Sequence, residues 1–399
     1  MSSNDPRRLP RLHELKAILP PLTRRGPLAA AADLSDVRRL ARRRAPRVVF
    51  DYVDGGAGDE VSMARAVAAF ARVEFSPRIL RDVGVVDTTT RVLGREIGMP
   101  VILGPTGFTR MMHRGGEKAV ARAAARARLP YTLSTMGTTP APDVTAAAPG
   151  GWNWFQLYVA RDRGRSRASL AIARDAGMEV LVVTADVPVA GARLRDVRHG
   201  MTMPPRLRWR SALQAVRHPA WWFDFVTGEP LSFATVGGTS DDLPTIVNTM
   251  FDPTVTMADL AWIRSEWGGP LLVKGVQRVD DALELAAIGV DGIVVSNHGG
   301  RQLDRSATPL ELLPRVVEAV GDRAEVYLDG GVRGGADVAA AVAFGARACF
   351  VGRAYLYGLM AAGEPGVDRV LDLLRAEYVR TVQLLGGSLD PSVVRLRGV

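Results

Sequence analysis

From residue 100 onward, short apolar runs alternate with longer amphipathic segments rich in alanine. Such apolar runs are typical of buried strands, and the amphipathic segments are typical of helices. The predicted strands lie at 100–104, 130–134, 154–158, 180–184, 270–274, 292–296, 325–329 and 348–352. The predicted helices between them include 115–128, 163–176, 278–288, 309–320 and 334–344. Eight strands alternating with helices predict an α/β fold in which a parallel sheet closes into a (β/α)8 TIM barrel.

The competing architecture is an open, doubly wound sheet. Such a sheet usually carries a Gly-x-Gly-x-x-Gly turn after its first strand. Here the first strand is followed by Pro105-Thr106-Gly107-Phe108, which lacks that fingerprint. The pattern therefore favours the barrel.

The segments around the barrel differ from it in composition and length. The connection after the fourth strand is far longer than a usual βα loop. The predicted organisation is an N-terminal arm (1–34), a barrel domain (35–385) with a helical extension at its start and an insertion or lid (197–268), and a C-terminal tail (386–399). The extension is predicted as a helix capped by Asp33 or Ser35, running toward Arg47 and ended by a turn over 50–56.

Composition narrows the class of protein. The chain has 399 residues, 47% of them hydrophobic and 23% charged, which is typical of a globular protein with a large core. Two domains could be built from this length, but α/β barrels also run past about 200 residues as one domain. The single cysteine, Cys349, excludes a disulfide framework and a cysteine-based metal cluster, so no metal is predicted.

The net charge of +9 is compatible with nucleic acid, an anionic membrane surface or an acidic substrate as partner. The basic residues form no recognisable nucleic-acid-binding module, so a nucleic-acid partner is not predicted. No stretch has the length and apolarity of a signal peptide or a membrane span. These observations, with a lone cysteine, predict a cytoplasmic protein.

Candidate site residues follow each predicted strand. Barrel active sites form at the carboxyl ends of the strands, so residues just after the apolar runs share one face. Every predicted strand ends in a polar side chain or a glycine: Pro105, Thr106 and Gly107; Ser134; Gln156 and Tyr158; Thr184 and Asp186; Lys274; Ser296, His298 and Arg301; Asp329, Gly331 and Arg333; Gly352 and Arg353. The repetition predicts an active site at this face.

The residue types suggest roles. Glycine-rich segments with arginines follow strands seven and eight, where barrels commonly bind phosphate through backbone amides. The alternative for these segments is a turn with solvated arginines. His298 can exchange a proton near neutral pH, and Arg301 offers a planar fork for a carboxylate or phosphate. A non-redox phosphate-binding barrel such as an isomerase would leave His298 and Arg301 without a role.

The segment Ser296-Asn297-His298-Gly299-Gly300-Arg301-Gln302-Leu303-Asp304 resembles the signature of the FMN-dependent L-2-hydroxy acid oxidases and dehydrogenases. The resemblance extends over about 35–385 through Phe50-Asp51-Tyr52, Pro105-Thr106-Gly107, Phe155-Gln156-Leu157-Tyr158, Thr184-Ala185-Asp186, Lys274-Gly275, Asp329-Gly330-Gly331-Val332-Arg333 and Gly352-Arg353. A finer resemblance, to actinobacterial quinone-dependent L-lactate dehydrogenases, rests on Phe50-Asp51-Tyr52-Val53-Asp54-Gly55-Gly56, Pro188-Val189-Ala190-Gly191-Ala192-Arg193-Leu194-Arg195-Asp196 and Gly352-Arg353-Ala354-Tyr355-Leu356-Tyr357-Gly358. The resemblance implies FMN as cofactor and oxidation of a 2-hydroxy acid.

The resemblance also implies a role for each matching position. The resemblance implies that His298 is the catalytic base and that Asp186 is its carboxylate partner. It also implies that Tyr158 donates a hydrogen bond to the substrate oxygen and that Lys274 is the cation beside the reduced flavin. The implied ligands of the substrate carboxylate are Arg193, Arg301 and Tyr52. The implied ligands of the flavin ring are Pro105, Thr106, Gly107, Ser134, Gln156 and Thr184. The implied ligands of the ribityl phosphate are Ser296, Asp329, Gly331, Arg333, Gly352 and Arg353.

Substrate and electron acceptor vary within the family. Gly107 and Met136 match positions that flank the substrate side chain, and a small residue beside a flexible one leaves room. We expect L-lactate, with a larger or aromatic acid as the alternative, and a quinone acceptor, with oxygen as the alternative. Aromatic and arginine residues alternate within 206–227, which suits either peripheral contact with the inner face of the cell membrane or a lid packed on a neighbouring subunit. The resemblance implies a homotetramer.

Overall fold

A computed structural model of the protein describes residues 26–199, 217–229, 231 and 251–398. Eight parallel strands close into a barrel, in which the last strand pairs with the first. Numbered in chain order among all strands, they are β4 (Val101–Leu103), β5 (Tyr131–Ser134), β6 (Asn153–Leu157), β7 (Leu181–Thr184), β8 (Leu271–Val276), β9 (Gly292–Ser296), β10 (Glu325–Asp329) and β11 (Cys349–Val351). The predicted (β/α)8 barrel is confirmed.

The helices surround this barrel. They are α1 (Leu34–Arg44), α2 (Arg47–Asp54), α3 (Val61–Ala71), α4 (Thr109–Met112), α5 (Gly116–Arg126), α6 (Ala141–Ala147), α7 (Arg163–Asp175), α8 (Leu194–Arg198), α9 (Pro219–Thr227), α10 (Met257–Glu266), α11 (Val279–Ile288), α12 (Pro309–Val320), α13 (Gly335–Ala343), α14 (Arg353–Ala362) and α15 (Glu364–Leu384). The five predicted helices correspond to α5, α7, α11, α12 and α13, within two residues at each end.

The barrel interior is filled by large side chains below the carboxyl ends of the strands. Seven of the eight strands contribute one buried residue to this cluster: Ile102, Trp154, Val182, Leu272, Val294, Tyr327 and Phe350. The Phe350 ring contacts Trp154 and Tyr327, with centroids 6.1 and 5.9 Å away. Because this layer occupies the lower interior, a ligand can enter only from the opposite, carboxyl-terminal end.

A short antiparallel hairpin, β2 (Thr90–Val92) and β3 (Arg95–Ile97), closes the amino-terminal end of the barrel. Val92 and Ile97 are buried in the interior cluster. The backbone N–H of Leu93 donates to both carboxylate oxygens of Glu325, at 3.1 and 3.0 Å. Since Glu325 begins β10, the hairpin is fixed at the end of the barrel that lies away from the predicted site.

The N-terminal extension differs from the prediction. A single helix ended by a turn over 50–56 was expected, but two helices form and residues 50–54 belong to the second. The break lies at Ala45-Pro46, because proline has no N–H and disfavours the helical conformation of the residue before it. The predicted cap is confirmed at Asp33, whose carboxylate accepts from the N–H of Asp36 at 2.8 Å.

The segments outside the barrel are described in part. The predicted arm lies outside the described residues up to residue 25, and the aromatic segment lies outside them at 206–216. In the range expected as a tail, β12 (Val394–Leu396) pairs with β1 (Val73–Phe75). Within the range expected as an insertion, α10 directly precedes β8, as a barrel helix does. In the described part of the chain, no helix has the length and apolarity to cross a membrane.

Candidate active site

A cavity of about 280 Å³ opens at the carboxyl ends of the barrel strands. The predicted residues that line it are Tyr52, Pro105, Thr106, Gly107, Ser134, Met136, Tyr158, Thr184, Arg193, Lys274, His298, Arg301, Asp329, Gly331, Arg333, Gly352 and Arg353. They come from segments that follow all eight strands, and from α2. Gln156, Asp186 and Ser296 lie behind the cavity wall and contact residues that form it.

His298 and Asp186 form a hydrogen-bonded pair in this cavity. His298 directly follows β9 in a left-handed conformation with φ 58°, and its Nδ1 lies 2.9 Å from Asp186 Oδ1. Because a carboxylate accepts hydrogen bonds, Nδ1 carries the hydrogen and Nε2 keeps a lone pair. Burial lowers the pKa of His298, and the charges of Lys274 and Arg193 lower it further against the opposing effect of Asp186. The imidazole is therefore neutral near pH 7.

A second buried network surrounds the end of β8. Lys274 Nζ lies 2.7 Å from Asp329 Oδ2 and 3.1 Å from Ser296 Oγ. The Ser296 hydroxyl donates to Asp329 Oδ2 at 2.6 Å. Burial works against the charge of Lys274, but Asp329 and Asp186 outweigh it, so the pKa of Lys274 is raised. The ammonium is thus a fixed positive charge. Ser296, predicted to contact the cofactor, bonds to both of these groups.

Two arginines meet at the opposite end of the cavity. Arg301 Nη1 donates to the backbone oxygens of Tyr52 and Gly55, at 2.7 and 3.0 Å, and its guanidinium lies 5.1 Å from the centre of the Tyr52 ring. Burial and then the charge of Arg193 lower the pKa of Arg301 to about 9. Arg193 Nε is buried without a hydrogen-bond partner within the described ranges. Two cations with unused donors form a site for an anion.

At the predicted phosphate end of the cavity, Arg353 is bonded to backbone oxygens of the protein. Arg353, expected to face a phosphate, uses its guanidinium to bind the backbone oxygens of Val53, Gly55 and Gly299 at 3.0, 2.7 and 2.8 Å. Burial lowers the pKa of Arg353 to about 10. These bonds join the end of α2 to the start of α14. Arg353 therefore contributes charge, and its donors hold the extension on the barrel.

The two helix starts at this end differ in their free backbone N–H groups. At α13, Asp337 accepts from the N–H groups of Arg333 and Gly334 at 2.6 and 3.0 Å, and Glu377 accepts from Gly335 at 2.8 Å. No side chain in the described segments caps α14, which begins after Gly352 on the cavity wall. Uncapped amides at a helix start favour an anion, so α14 offers the better phosphate site.

Buried polar atoms without partners lie on the cavity wall and directly behind it. Thr184 Oγ1 and Gln156 Nε2 form no hydrogen bond to any described residue. The Ser134 hydroxyl donates to Gln156 Oε1 at 2.9 Å and accepts from the N–H of Met136 at 3.1 Å. Buried polar groups are nearly always paired in folded proteins. The free donors and acceptors therefore indicate a ligand with a polar ring edge at this level of the barrel.

Three further cavity residues were not among the predicted site residues. Phe251, at the end of the insertion, packs edge-on against Tyr158 with ring centroids 5.5 Å apart. Asp196 and Val197 on α8 line the cavity beside Arg193. Phe108, which follows the Pro105-Thr106-Gly107 segment, is buried edge-on against Tyr52, with ring centroids 6.0 Å apart. Spacing from a strand end could have suggested Asp196, whereas Phe251 carries no such signal.

A barrel whose strand ends hold a histidine–aspartate pair, a buried lysine and an anion site has the architecture of a (β/α)8 enzyme. The family model described as FMN-dependent dehydrogenase matches residues 41–391. The chain belongs to this family of FMN-dependent oxidoreductases, as its motifs indicated.

Relatives cover nearly the whole chain. A Mycobacterium tuberculosis (strain ATCC 25618 / H37Rv) protein provisionally named L-lactate dehydrogenase is 51% identical over 385 residues, covering 95% of this chain and 93% of that protein. The L-lactate dehydrogenase of Caulobacter vibrioides (strain NA1000 / CB15N) is 46% identical, covering 89% and 94%. A crystal structure of the monotopic membrane protein (S)-mandelate dehydrogenase superposes with a TM-score of 0.88 at 36% identity, covering 92% of this chain and all of that chain.

The cavity fits the FMN that this family uses. The partnerless Gln156 Nε2 and Thr184 Oγ1 match the polar edge of an isoalloxazine ring. The uncapped start of α14 matches a phosphate. Lys274 supplies a buried positive charge on the cavity wall, paired with Asp329. Arg193 and Arg301 lie at the remaining end, where a second, anionic ligand can bind.

Proposed function

We propose that the protein oxidises an L-2-hydroxy acid, with L-lactate to pyruvate as the expected reaction. The observation that carries the proposal is the neutral His298, bonded to Asp186, in the same cavity as two arginines with unused donors. The two relatives named L-lactate dehydrogenase support the choice of substrate. The substrate loses two electrons and two protons, and FMN supplies the two-electron acceptor.

Arg193, Arg301 and Tyr52 bind the substrate carboxylate in this proposal. Charge-assisted bonds from a planar guanidinium are directional, so they fix the acid as a rigid body. Arg301 is itself held by the backbone oxygens of Tyr52 and Gly55, which limits its motion. Fixing the carboxylate in this way orients the hydroxyl-bearing carbon toward His298 and reduces the entropic part of the barrier.

His298 Nε2 then accepts the proton that leaves the substrate. Asp186 stabilises the imidazolium that results, because its Oδ1 already accepts from Nδ1. Burial raises the pKa of Tyr158, so its phenol stays protonated and donates to the substrate oxygen. Lys274, held charged beside Asp329, stabilises negative charge on the reduced cofactor. Gly107 and Met136 border the substrate side chain.

Flavin absorbance tests this proposal directly. The purified protein is expected to be yellow, and L-lactate added without oxygen is expected to bleach it, whereas D-lactate is not. Bleaching by L-mandelate but not by L-lactate would move the substrate assignment to an aromatic acid. A flavin that no 2-hydroxy acid reduces would contradict the proposed function.

The electron acceptor is proposed to be a quinone at the membrane surface. The structural neighbour titled a monotopic membrane protein, together with the net charge of +9, supports a peripheral location. On α9, Trp221 is buried and its indole N–H donates to the backbone oxygen of Met111 at 2.9 Å. Phe223 and Val226 are 60% and 71% exposed, with Arg114 lying 5.6 Å from the centre of the Phe223 ring, and both side chains are accessible to lipid. Membrane contact by α9 therefore rests on these two residues.

Vesicle sedimentation distinguishes membrane contact from a lid. Phe223→Ser is expected to reduce cosedimentation with vesicles that contain anionic lipid, while Trp221 keeps α9 on the barrel. Val67→Ser, at another exposed apolar residue on α3, serves as the control. Equal cosedimentation of both variants with the unaltered protein would remove α9 from the membrane assignment.

A homo-oligomer is proposed on a different surface. Ile79, Leu80, Val85 and Leu384 are exposed apolar residues, and Leu80 adopts a left-handed φ of 57°. The loop that carries the first three lies against the end of α15, which carries Leu384, and Gln383 Nε2 donates to the backbone oxygen of Val83 at 3.1 Å. Exposed apolar clusters of this kind are common at subunit interfaces. Sedimentation velocity of Leu80→Glu is expected to show a smaller species than the tetramer proposed for the unaltered protein; an unchanged coefficient would contradict this surface.

A second candidate function is an oxygen-reducing oxidase of a larger acid. Mandelate oxidase structures superpose with a TM-score of 0.79 at 36% identity. Met136 and Phe251 give the cavity an apolar wall that a bulkier side chain could contact. Reoxidation of the bleached flavin separates the candidates, because an oxidase reacts rapidly with dissolved oxygen and a dehydrogenase prefers a quinone analogue.

A further inference from the structure

Helix α8 has two faces with different surroundings. Arg193 immediately precedes it, and Arg193, Asp196 and Val197 line the cavity. Arg195 and His199 are four residues apart, so they project from the same side of the helix. That side contacts α2 and the loop that follows it. The helix is therefore held on one face and presents substrate-facing residues on the other.

The held face carries a network of ion pairs. Arg195 Nη1 lies 3.1 Å from Asp54 Oδ2 and 3.7 Å from Asp51 Oδ1. Its Nη2 donates to Glu60 Oε2. His199 Nε2 lies 2.7 Å from Asp51 Oδ2. We call the contacts of Arg195 and His199 with these three carboxylates the α8 latch.

The carboxylates of the latch are themselves fixed. Asp54 accepts from Arg38 at 2.6 and 2.8 Å and from the Tyr357 hydroxyl at 2.8 Å. Burial opposes the charge of Asp54, but the bonds from Arg38 and Tyr357 outweigh it and hold its pKa at about 2. Glu60 Oε1 accepts from the N–H of Gly56 at 3.0 Å. The latch thus attaches α8 to a rigid part of the molecule that includes α14.

We call Arg193, Arg301 and Tyr52, the proposed ligands of the substrate carboxylate, the substrate clamp. The clamp needs such an attachment. Arg301 is anchored by two backbone oxygens, whereas Arg193 Nε has no hydrogen-bond partner among the described residues. The place of the Arg193 guanidinium is therefore determined mainly by the backbone at the start of α8. Helix α2 carries Tyr52 and two of the three latch carboxylates, Asp51 and Asp54, so the latch sets Arg193 relative to the rest of the clamp.

We propose that Arg195, assisted by His199, is a positioning residue that sets the affinity for the substrate carboxylate by fixing Arg193 through the α8 latch. This inference rests on the proposed role of Arg193 as a carboxylate ligand. Isolated surface ion pairs contribute little, but here one arginine joins three carboxylates, of which Asp51 and Asp54 are buried. The carboxylate contact is made equally in the ground and transition states, so its loss raises KM more than it lowers kcat.

The test compares Arg195→Met, Arg195→Lys and the control Arg165→Met, which removes an exposed arginine 3.9 Å from Asp162. KM for L-lactate and the Kd of oxalate, followed through flavin absorbance, are expected to rise about 10-fold or more in Arg195→Met, because a charge-assisted bond of the clamp is misplaced. The value of kcat and the FMN content are expected to change little. Arg195→Lys keeps one pairing and is expected to be intermediate, and Arg165→Met is expected to be unchanged.

An unchanged KM and oxalate Kd in Arg195→Met would overturn the inference, as would an equal change in Arg165→Met. Should Arg195→Met fail to fold, His199→Asn gives the same readouts through the weaker half of the latch. Oxalate binding separates this inference from the proposed function. If no 2-hydroxy acid reduces the flavin, the oxidase or dehydrogenase assignment fails, while oxalate affinity still reports whether the latch positions Arg193.

Discussion

The charged groups at one end of the cavity have partners within the protein, whereas those at the other end have unused hydrogen-bond donors. Around β8 and β9, Lys274, Asp329 and Asp186 are held by partners within the protein at 2.6 to 2.9 Å. At the other end, Arg193 and Arg301 face each other with donors that the described residues leave unused. The paired end is preorganised for developing charge, which is where electrostatic catalysis is strongest. The unpaired end requires a ligand, which is how a binding site gains affinity.

The difference implies that substitutions at the two ends change different properties of the enzyme. Loss of a group at the paired end should change rates or stability while leaving the substrate affinity near normal. Loss of a group at the unpaired end should change affinity first. Three variants and one pH profile separate these outcomes.

The largest effect is expected for His298→Gln. Glutamine is close in size but cannot accept the proton, so turnover should fall by about 10³-fold or more while FMN stays bound. Steady-state kcat and the flavin absorbance spectrum of the purified variant measure both properties. A near-normal rate would show that another group is the base.

Arg301→Lys should act on affinity. Lysine keeps the charge but loses the planar fork, so KM for L-lactate should rise about 10- to 100-fold from the loss of a charge-assisted bond. The same variant should bind oxalate more weakly. A fall in kcat with an unchanged KM would place Arg301 outside the carboxylate site.

Asp329→Asn should lower stability. The change leaves Lys274 buried without its ion-pair partner, which costs about 3 kcal/mol in the free energy of unfolding. Chemical denaturation of the FMN-loaded protein measures this quantity. Lys274→Met with Asp329→Asn removes both charges and should recover part of the loss. Equal stability of Asp329→Asn and the unaltered protein would contradict the buried pair.

The smallest expected effect is a shift in the pH dependence of kcat/KM. Because burial lowers the pKa of His298, the neutral base persists below the ordinary histidine value of about 6.5. The value of kcat/KM should therefore stay constant from pH 8 down past that value and fall only at lower pH, as the imidazole takes up a proton. An acidic inflection above about 6.5 would show that Asp186 dominates over burial.

The barrel could be predicted because its signals are local. Buried strands appear as apolar runs, and β9 and β10 begin and end at the expected residues. The β2–β3 hairpin was not predicted, since its three-residue strands include exposed charged residues and gain stability only from contacts with the barrel. The break between α1 and α2 was also missed, although Pro46 marks it in the sequence.

The candidate site could also be predicted only in part. Strand ends and motifs identified the residues that meet in the cavity, because a closed barrel brings all strand ends to one face. The bonding of each side chain could not be predicted. Arg353 binds carbonyls some 300 residues away, and Glu377 reaches back 42 residues to cap α13. Such long-range contacts decide which groups remain free for a ligand.

Substrate binding and substrate oxidation can be separated by mixing L-lactate with His298→Gln and Arg301→Lys under anaerobic conditions and recording the flavin spectrum. We expect His298→Gln to show a saturable spectral change at lactate concentrations near the KM of the unaltered protein, without bleaching. We expect Arg301→Lys to bleach fully, but only at much higher lactate concentrations. Rapid bleaching of His298→Gln, or normal lactate affinity in Arg301→Lys, would contradict the division of the cavity into a catalytic and a binding end.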